Sequence, residues 1–189
     1  VHQEMMKELG SNSNTQKAPV VSLFKWTMRI AAGLFLVILT SAVYLYFTVS
    51  GNGIYESKYA DYTISNTRSV EIVSPIVKAY KAKDYAKLIE LSQFFNSTNP
   101  ENTFLTGMAY LQTNQPAEAI KSLEFLLAQK ELGFKEDAEY YLALAYIKVN
   151  NPKSALVLFK KINSDKLHPY HDKVSSWDIR KLELVQWKQ

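Results

Sequence analysis

The sequence predicts an all-α protein: one N-terminal transmembrane helix, then an α-solenoid of about three helix pairs closed by a C-terminal capping helix. Three observations lead there. Residues 30–49 form an uninterrupted run without a charge. From Val70 onward, apolar residues recur at helical spacing, with no sustained period of two and no hairpin signal. A polar turn followed by a helix start occurs three times, so that Leu88, Ala119 and Ala155 align at separations of 31 and 36 residues. The 189 residues are 47% apolar and 21% charged, which excludes a wholly disordered chain and a polytopic membrane protein.

Residues 1–24 read as a polar, disordered cytoplasmic tail or part of a longer N-terminus. They carry Ser11-Asn12-Ser13-Asn14-Thr15 and, at position 1, valine rather than methionine. The transmembrane helix is expected over 25–50. Its core, residues 30–49, is the part expected to contact the lipid bilayer; twenty residues at about 1.5 Å each match a hydrocarbon core about 30 Å thick. A buried helix of a soluble domain rarely needs apolar residues on every side. A cleaved signal peptide has a shorter apolar run ending in small residues, whereas this one ends in Tyr44, Tyr46 and Phe47. Lys25 and Arg29 sit at the first edge of the run, and no lysine or arginine follows it until Lys58. The positive-inside rule therefore puts the N-terminus in the cytoplasm and the rest of the chain outside it. The expected location is a bacterial inner membrane with a periplasmic C-terminal domain.

Gly51-Asn52-Gly53 reads as the end of the span and the start of a linker over 51–69, whose residues 55–68 show no clear period and are expected to lie against the following domain. The domain itself is expected over 70–189. Its stripes are Ile72, Ile76, Val77 and Tyr80; Tyr85, Leu88, Ile89 and Leu91; Phe104, Leu105, Met108 and Leu111; Ile120, Leu123, Leu126 and Leu127; Tyr141, Leu142, Ala145 and Tyr146; and Leu156, Phe159 and Ile162. Pro116 and Pro152 stand where first helical turns are expected. A last helix is expected to start near Pro169 and run through Val174, Trp177, Leu182 and Val185, with Trp177 and Trp187 capping the open end.

The paired helices resemble the tetratricopeptide repeat (TPR), a helix-turn-helix unit of 34 residues. Leu142, Ala143, Tyr146, Ala155 and Phe159 fill the Leu, small, Tyr, Ala and Phe positions of its pattern in the third repeat. Gly107, Tyr110 and Ala119 do so in the second, which departs at Thr106 and Leu123. The first departs further, with Pro75, Ile76 and Ala79 where Leu, Gly and Tyr are usual, and the consensus Trp is absent from all three. The resemblance implies a groove lined by the first helix of each pair that takes another protein's helix or extended peptide. By alignment the groove would present Val77, Tyr80 and Lys81, then Phe104, Met108 and Leu111, then Tyr140, Leu144 and Lys148. The layout is also similar to bacterial membrane proteins that carry a short repeat array outside the cytoplasm and accompany secretion, chaperone or assembly complexes.

Chemistry is not expected. The chain has no cysteine, which excludes disulfides and thiolate sites. It has no G-x-S-x-G, phosphate-cradling glycine loop or H-E-x-x-H. His168, His171 and Asp172 lie close in sequence but lack the further ligands of a closed metal site, so they read as a solvated helix start, without metal or cofactor. Glu136, Asp137 and Glu139 read as a solvated helix N-terminus. Lys78, Lys81, Lys83 and Lys87 read as a solvated face, or as a contact for anionic headgroups. Asn96-Ser97-Thr98 matches a glycosylation sequon. The net charge of +4 comes almost entirely from lysine, since Arg29, Arg68 and Arg180 are the only arginines, so neither nucleic acid nor a small-molecule substrate is an expected partner. The expected function is that of a non-enzymatic adaptor or scaffold, an accessory subunit of an envelope complex. The alternatives are a transmembrane signalling or anti-sigma-like regulator with a periplasmic sensor, and an outward-facing organellar import receptor.

Overall fold

The computed structural model describes residues 20–64, 74–94, 99–129 and 133–189, with side chains from residue 25 onward. The expected tail, the sequon, residues 65–73 of the linker and Ile72 of the first stripe lie outside them. The described residues are helical and contain no strand. Helix α1 spans Val20–Thr48, α2 Gly51–Lys58, α3 Pro75–Lys81, α4 Tyr85–Ser92, α5 Pro100–Gln112, α6 Pro116–Ala128, α7 Lys135–Lys148, α8 Pro152–Ser164 and α9 Ser176–Trp187. The chain divides into two compact units, Val1–Leu45 and Tyr46–Gln189.

In the first unit, α1 carries an apolar stretch. Within Lys25–Thr48 the most apolar window has a mean hydropathy of 2.2, and none of it is buried. At about 1.5 Å per residue these 24 residues measure about 36 Å, enough to cross a bilayer. Two hydroxyls in the middle of the stretch are satisfied within the helix. Thr40 donates to the carbonyls of Leu36 and Val37, and Ser41 to that of Val37, so they leave no unpaired donor facing an apolar surrounding.

The second unit is built from helix pairs joined by one repeated turn. In α3, α5 and α7 the helix ends at a residue with left-handed backbone: Lys83 (φ 56°), Asn114 (φ 56°) and Asn150 (φ 57°). The hydrogen bonds are the same each time. Lys83 N–H donates to Tyr80 O and Asp84 N–H to Ala79 O; Asn114 to Leu111 O and Gln115 to Tyr110 O; Asn150 to Ile147 O and Asn151 to Tyr146 O. This is the Schellman arrangement, which satisfies the last carbonyls and reverses the chain. The second helix then starts at Tyr85, Pro116 or Pro152. The residues aligned by sequence, Leu88, Ala119 and Ala155, are all fully buried, one per pair. Proline also opens α3 and α5, after Ser74 and Asn99 as N-caps. Each helix from α3 to α8 packs against its neighbours in sequence, and the first helices α3, α5 and α7 also touch in series. At Gly107 the approach of α6 is so close that a Cβ would lie 2.9 Å from Leu123.

Two expectations about the ends change. Gly51-Asn52-Gly53 is not a linker but the first turn of α2, capped by the Ser50 hydroxyl, which accepts from Gly53 N–H. The last helix starts at Ser176 rather than near Pro169. Residues 168–174 form tight turns with a single 3-10 turn at His171–Lys173, and Ser175 and Asp178 make a reciprocal capping box that fixes the start of α9. Helix α9 packs on α8 and α2 and buries Leu182 and Val185. Trp177 and Trp187 point away from the core, so the open end is not closed by tryptophan.

Candidate functional site

Of the residues expected to line a groove, Tyr80, Phe104, Tyr140 and Lys148 meet another part of the chain instead of presenting an open surface. Tyr80, Phe104, Met108, Leu111, Tyr140 and Leu144 are buried, as is Val77. Lys81 is exposed at the end of α3. That part is segment 51–64, which enters the second unit as α2 and continues in extended form.

The segment crosses the helix pairs in reverse chain order. At α7, Lys148 places its ammonium 4.5 Å over the ring of Tyr55 and 3.7 Å from Glu56. Tyr140 and Tyr141 donate their hydroxyls to Lys58 O (2.6 Å) and Ala60 O (2.7 Å). At α5, Gln112 donates to Asp61, and the ring of Tyr62 meets Phe104 edge-on at 4.7 Å. At α3, Tyr80 donates to Tyr62 O at 3.0 Å. Tyr62 and Ile64 turn inward while Asp61 and Thr63 face out, the alternation of an extended strand. Three tyrosine hydroxyls thus hold main-chain carbonyls rather than side chains, a mode of recognition that extended peptides satisfy irrespective of sequence.

Burial sets the chemistry of these rings. It pushes the Tyr140 hydroxyl up to about 12, with the Asp178 carboxylate adding to it, and it pushes Tyr55 up to about 12, with Glu56 and Asp61 adding. Burial raises Tyr80 and Tyr141 further still. The three clasping hydroxyls therefore remain protonated donors across the neutral range. Tyr59, stacked on Tyr55, has a buried hydroxyl with no hydrogen-bond partner among the described residues.

A polar knot ties α2 to the C-terminal elements. Lys58 lies 2.6 Å from Asp178 and donates to Lys173 O, while Lys181 lies 2.9 Å from the other oxygen of Asp178. Burial alone would raise the Asp178 carboxyl. Hydrogen bonds from Lys181, Lys58 and Ser175 outweigh it and hold the group well below the usual carboxylate range. Sequence reasoning missed this pair, whose partners are 120 positions apart and carry no local signal.

The acidic run at the start of α7 is only partly solvated. Glu136 is exposed, but Glu139 is buried between Lys161 (2.6 Å) and the His168 Nε2 (3.8 Å). Asp137 accepts from the Tyr170 hydroxyl at 2.5 Å, and its own carboxyl is raised, chiefly by burial. His168 is likewise buried rather than part of a solvated helix start, with Nδ1 accepting from Tyr170 N–H. Among the described residues no three His, Asp or Glu side chains gather as a metal site. Lys78, Lys81, Lys83 and Lys87 are exposed, and Lys87 pairs with Glu90.

Some apolar side chains of the second helices stay open. Phe125 of α6 and Val157 of α8 are exposed, and a cleft of about 320 Å³ beside Phe125 is lined by Ser92, Asn102, Thr106 and Lys121. Comparison with family models, with curated proteins and with solved structures finds no match to this chain.

Proposed function

We propose that this protein is a membrane-anchored adaptor whose soluble part is a short solenoid of tetratricopeptide type. Helix α1 spans a bacterial inner membrane, with the N-terminus in the cytoplasm and the repeats outside it. The protein works by binding other proteins, as an accessory subunit of an envelope complex, and not by catalysis. The observation that carries this reading is the threefold recurrence of one helix-turn-helix geometry directly after an exposed apolar helix. Repeats of that kind present extended surfaces, and confinement to a membrane raises their effective concentration near membrane-bound partners.

The binding face shifts from the one the resemblance implies. With segment 51–64 seated on α3, α5 and α7, a partner there would first have to displace Tyr62 and Ile64. The row along the second helices, with Phe125 and Val157, is open without rearrangement. Two experiments test the reading. Alkaline carbonate washing of membranes should leave the chain in the pellet; release into the supernatant refutes the anchor. Co-purified proteins should be lost from a Phe125→Glu, Val157→Glu variant that keeps its helical circular dichroism; an unchanged set refutes the second-helix face.

A further inference from the structure

We propose that the last turn of α9 is a second membrane contact, with Trp187 and Lys188 seated at the headgroup level of the bilayer that α1 crosses. This rests on the spanning reading of α1. Trp187 is 75% exposed, although it ends a helix whose Leu182 and Val185 are buried. Its ring meets Tyr46 edge-on at 6.0 Å. Lys188 holds its ammonium 4.9 Å over the same ring and donates to Val49 O at 2.7 Å. Tyr46 in turn meets Phe47 edge-on at 5.3 Å, and Phe47 is 78% exposed. Three aromatic rings therefore form a single outward cluster, with the half-buried Lys188 ammonium against it and no acidic side chain in these contacts.

The occupant follows from continuity. Tyr46 and Phe47 belong to the last turn of the apolar helix, which ends at Thr48. If that helix crosses a bilayer, they lie where hydrocarbon gives way to headgroups, and a ring in contact with Tyr46 lies at nearly the same depth. Indole prefers that boundary, where its apolar face and its N–H are both accommodated. A lysine stem reaches along the same surface and leaves its charge among lipid phosphates. Val185 and Ile147 lie within 4 Å of the Gly51 Cβ position, so α9 and α7 both pack where the chain leaves the apolar helix.

The chain has three tryptophans, Trp26, Trp177 and Trp187, and all three are exposed, so phenylalanine replacements leave the core intact. The test reconstitutes three full-length single-tryptophan versions into phosphatidylcholine–phosphatidylglycerol vesicles, with and without lipids brominated near the top of the acyl chain. Trp187 and Trp26 should lose most of their emission to the bromines. Trp177, about 15 Å away at the start of the same helix, should keep its emission. Replacing Lys188 by glutamate should weaken the Trp187 quenching in these anionic vesicles. Quenched Trp26 with unquenched Trp187 would overturn the second contact while leaving the anchor in place, and a Trp187 emission that instead shifts with protein concentration would assign the patch to a second copy. Equal quenching of Trp177 would overturn the restriction to the last turn. Absence of quenching at both Trp26 and Trp187 would remove the spanning reading and the proposal together.

Discussion

Replacing Tyr141 by phenylalanine removes one oxygen from the clasp on segment 51–64 and leaves the ring where it is. That ring is buried and meets Tyr62, Phe104, Tyr140 and Tyr170 at centroid distances of 5.4 to 6.3 Å, contacts that phenylalanine keeps. The loss is the 2.7 Å bond to Ala60 O. Ala60 is itself exposed, so water can replace part of that bond, and the net effect falls near about 1 kcal/mol rather than at the upper end of about 3 for a stranded group. One kcal/mol raises local opening about fivefold. Changing Tyr80, Tyr140 and Tyr141 together should approach about 3 kcal/mol, or about a hundredfold, reduced by coupling between the adjacent Tyr140 and Tyr141. Hydrogen exchange of the full chain in detergent micelles reads this directly. The amides of residues 59–64 should exchange faster in proportion, while those in the middle of α7 change much less. If the triple variant lowers overall stability but leaves exchange across 59–64 unchanged, the hydroxyls do not hold the segment and the clasp is wrong.

Other consequences are as specific. Lys83 occupies a left-handed position where Asn114 and Asn150 stand in the other two turns, so Lys83→Gly should raise stability by about 1 kcal/mol or somewhat less, seen as a higher thermal midpoint by circular dichroism. Because the folded Asp178 carboxyl is held below its ordinary value of about 3.9, its contribution is complete above that pH and is lost as pH falls toward the folded value. Asp178→Asn should therefore cost about 3 kcal/mol in urea unfolding at pH 7, and the gap to the native sequence should shrink at pH 3. Tyr59→Phe, which removes a buried hydroxyl without a partner among the described residues, should be neutral or stabilising by up to about 1 kcal/mol, whereas Tyr140→Phe should destabilise by a similar amount.

The helix pairs were legible because their signals are local. Proline at the first turn of α3, α5, α6 and α8, and side-chain caps at Ser74, Asp84, Asn99 and Asn151, mark the starts without reference to the rest of the chain. The equivalence of Lys83, Asn114 and Asn150 follows from the same short segments. The cover over the first helices was less legible. Residues 138–145 are buried without interruption, so the middle of α7 has no face left for solvent, yet its sequence mixes Tyr, Ala, Leu and Glu as a half-exposed helix would. That the stretch from Tyr55 would lie against the following domain was expected from the sequence, but not its extended path over α3, α5 and α7, because Tyr62 and Ile64 are too few to establish a period of two. Glu139 shows the general difficulty. A carboxylate at a helix N-terminus is ordinarily solvated, and its burial here depends on Lys161 and His168, supplied by later elements.

The chain's lack of cysteine allows the central claim, that α1 crosses a membrane and carries the repeats outside the cytoplasm, to be tested by single-cysteine labelling in intact spheroplasts. Leu167→Cys, at a position 93% exposed, should react with a membrane-impermeant maleimide before lysis. Lys25→Cys, at the opposite end of the apolar stretch, should react only after lysis. Labelling of both sites before lysis, or of neither, would contradict the account.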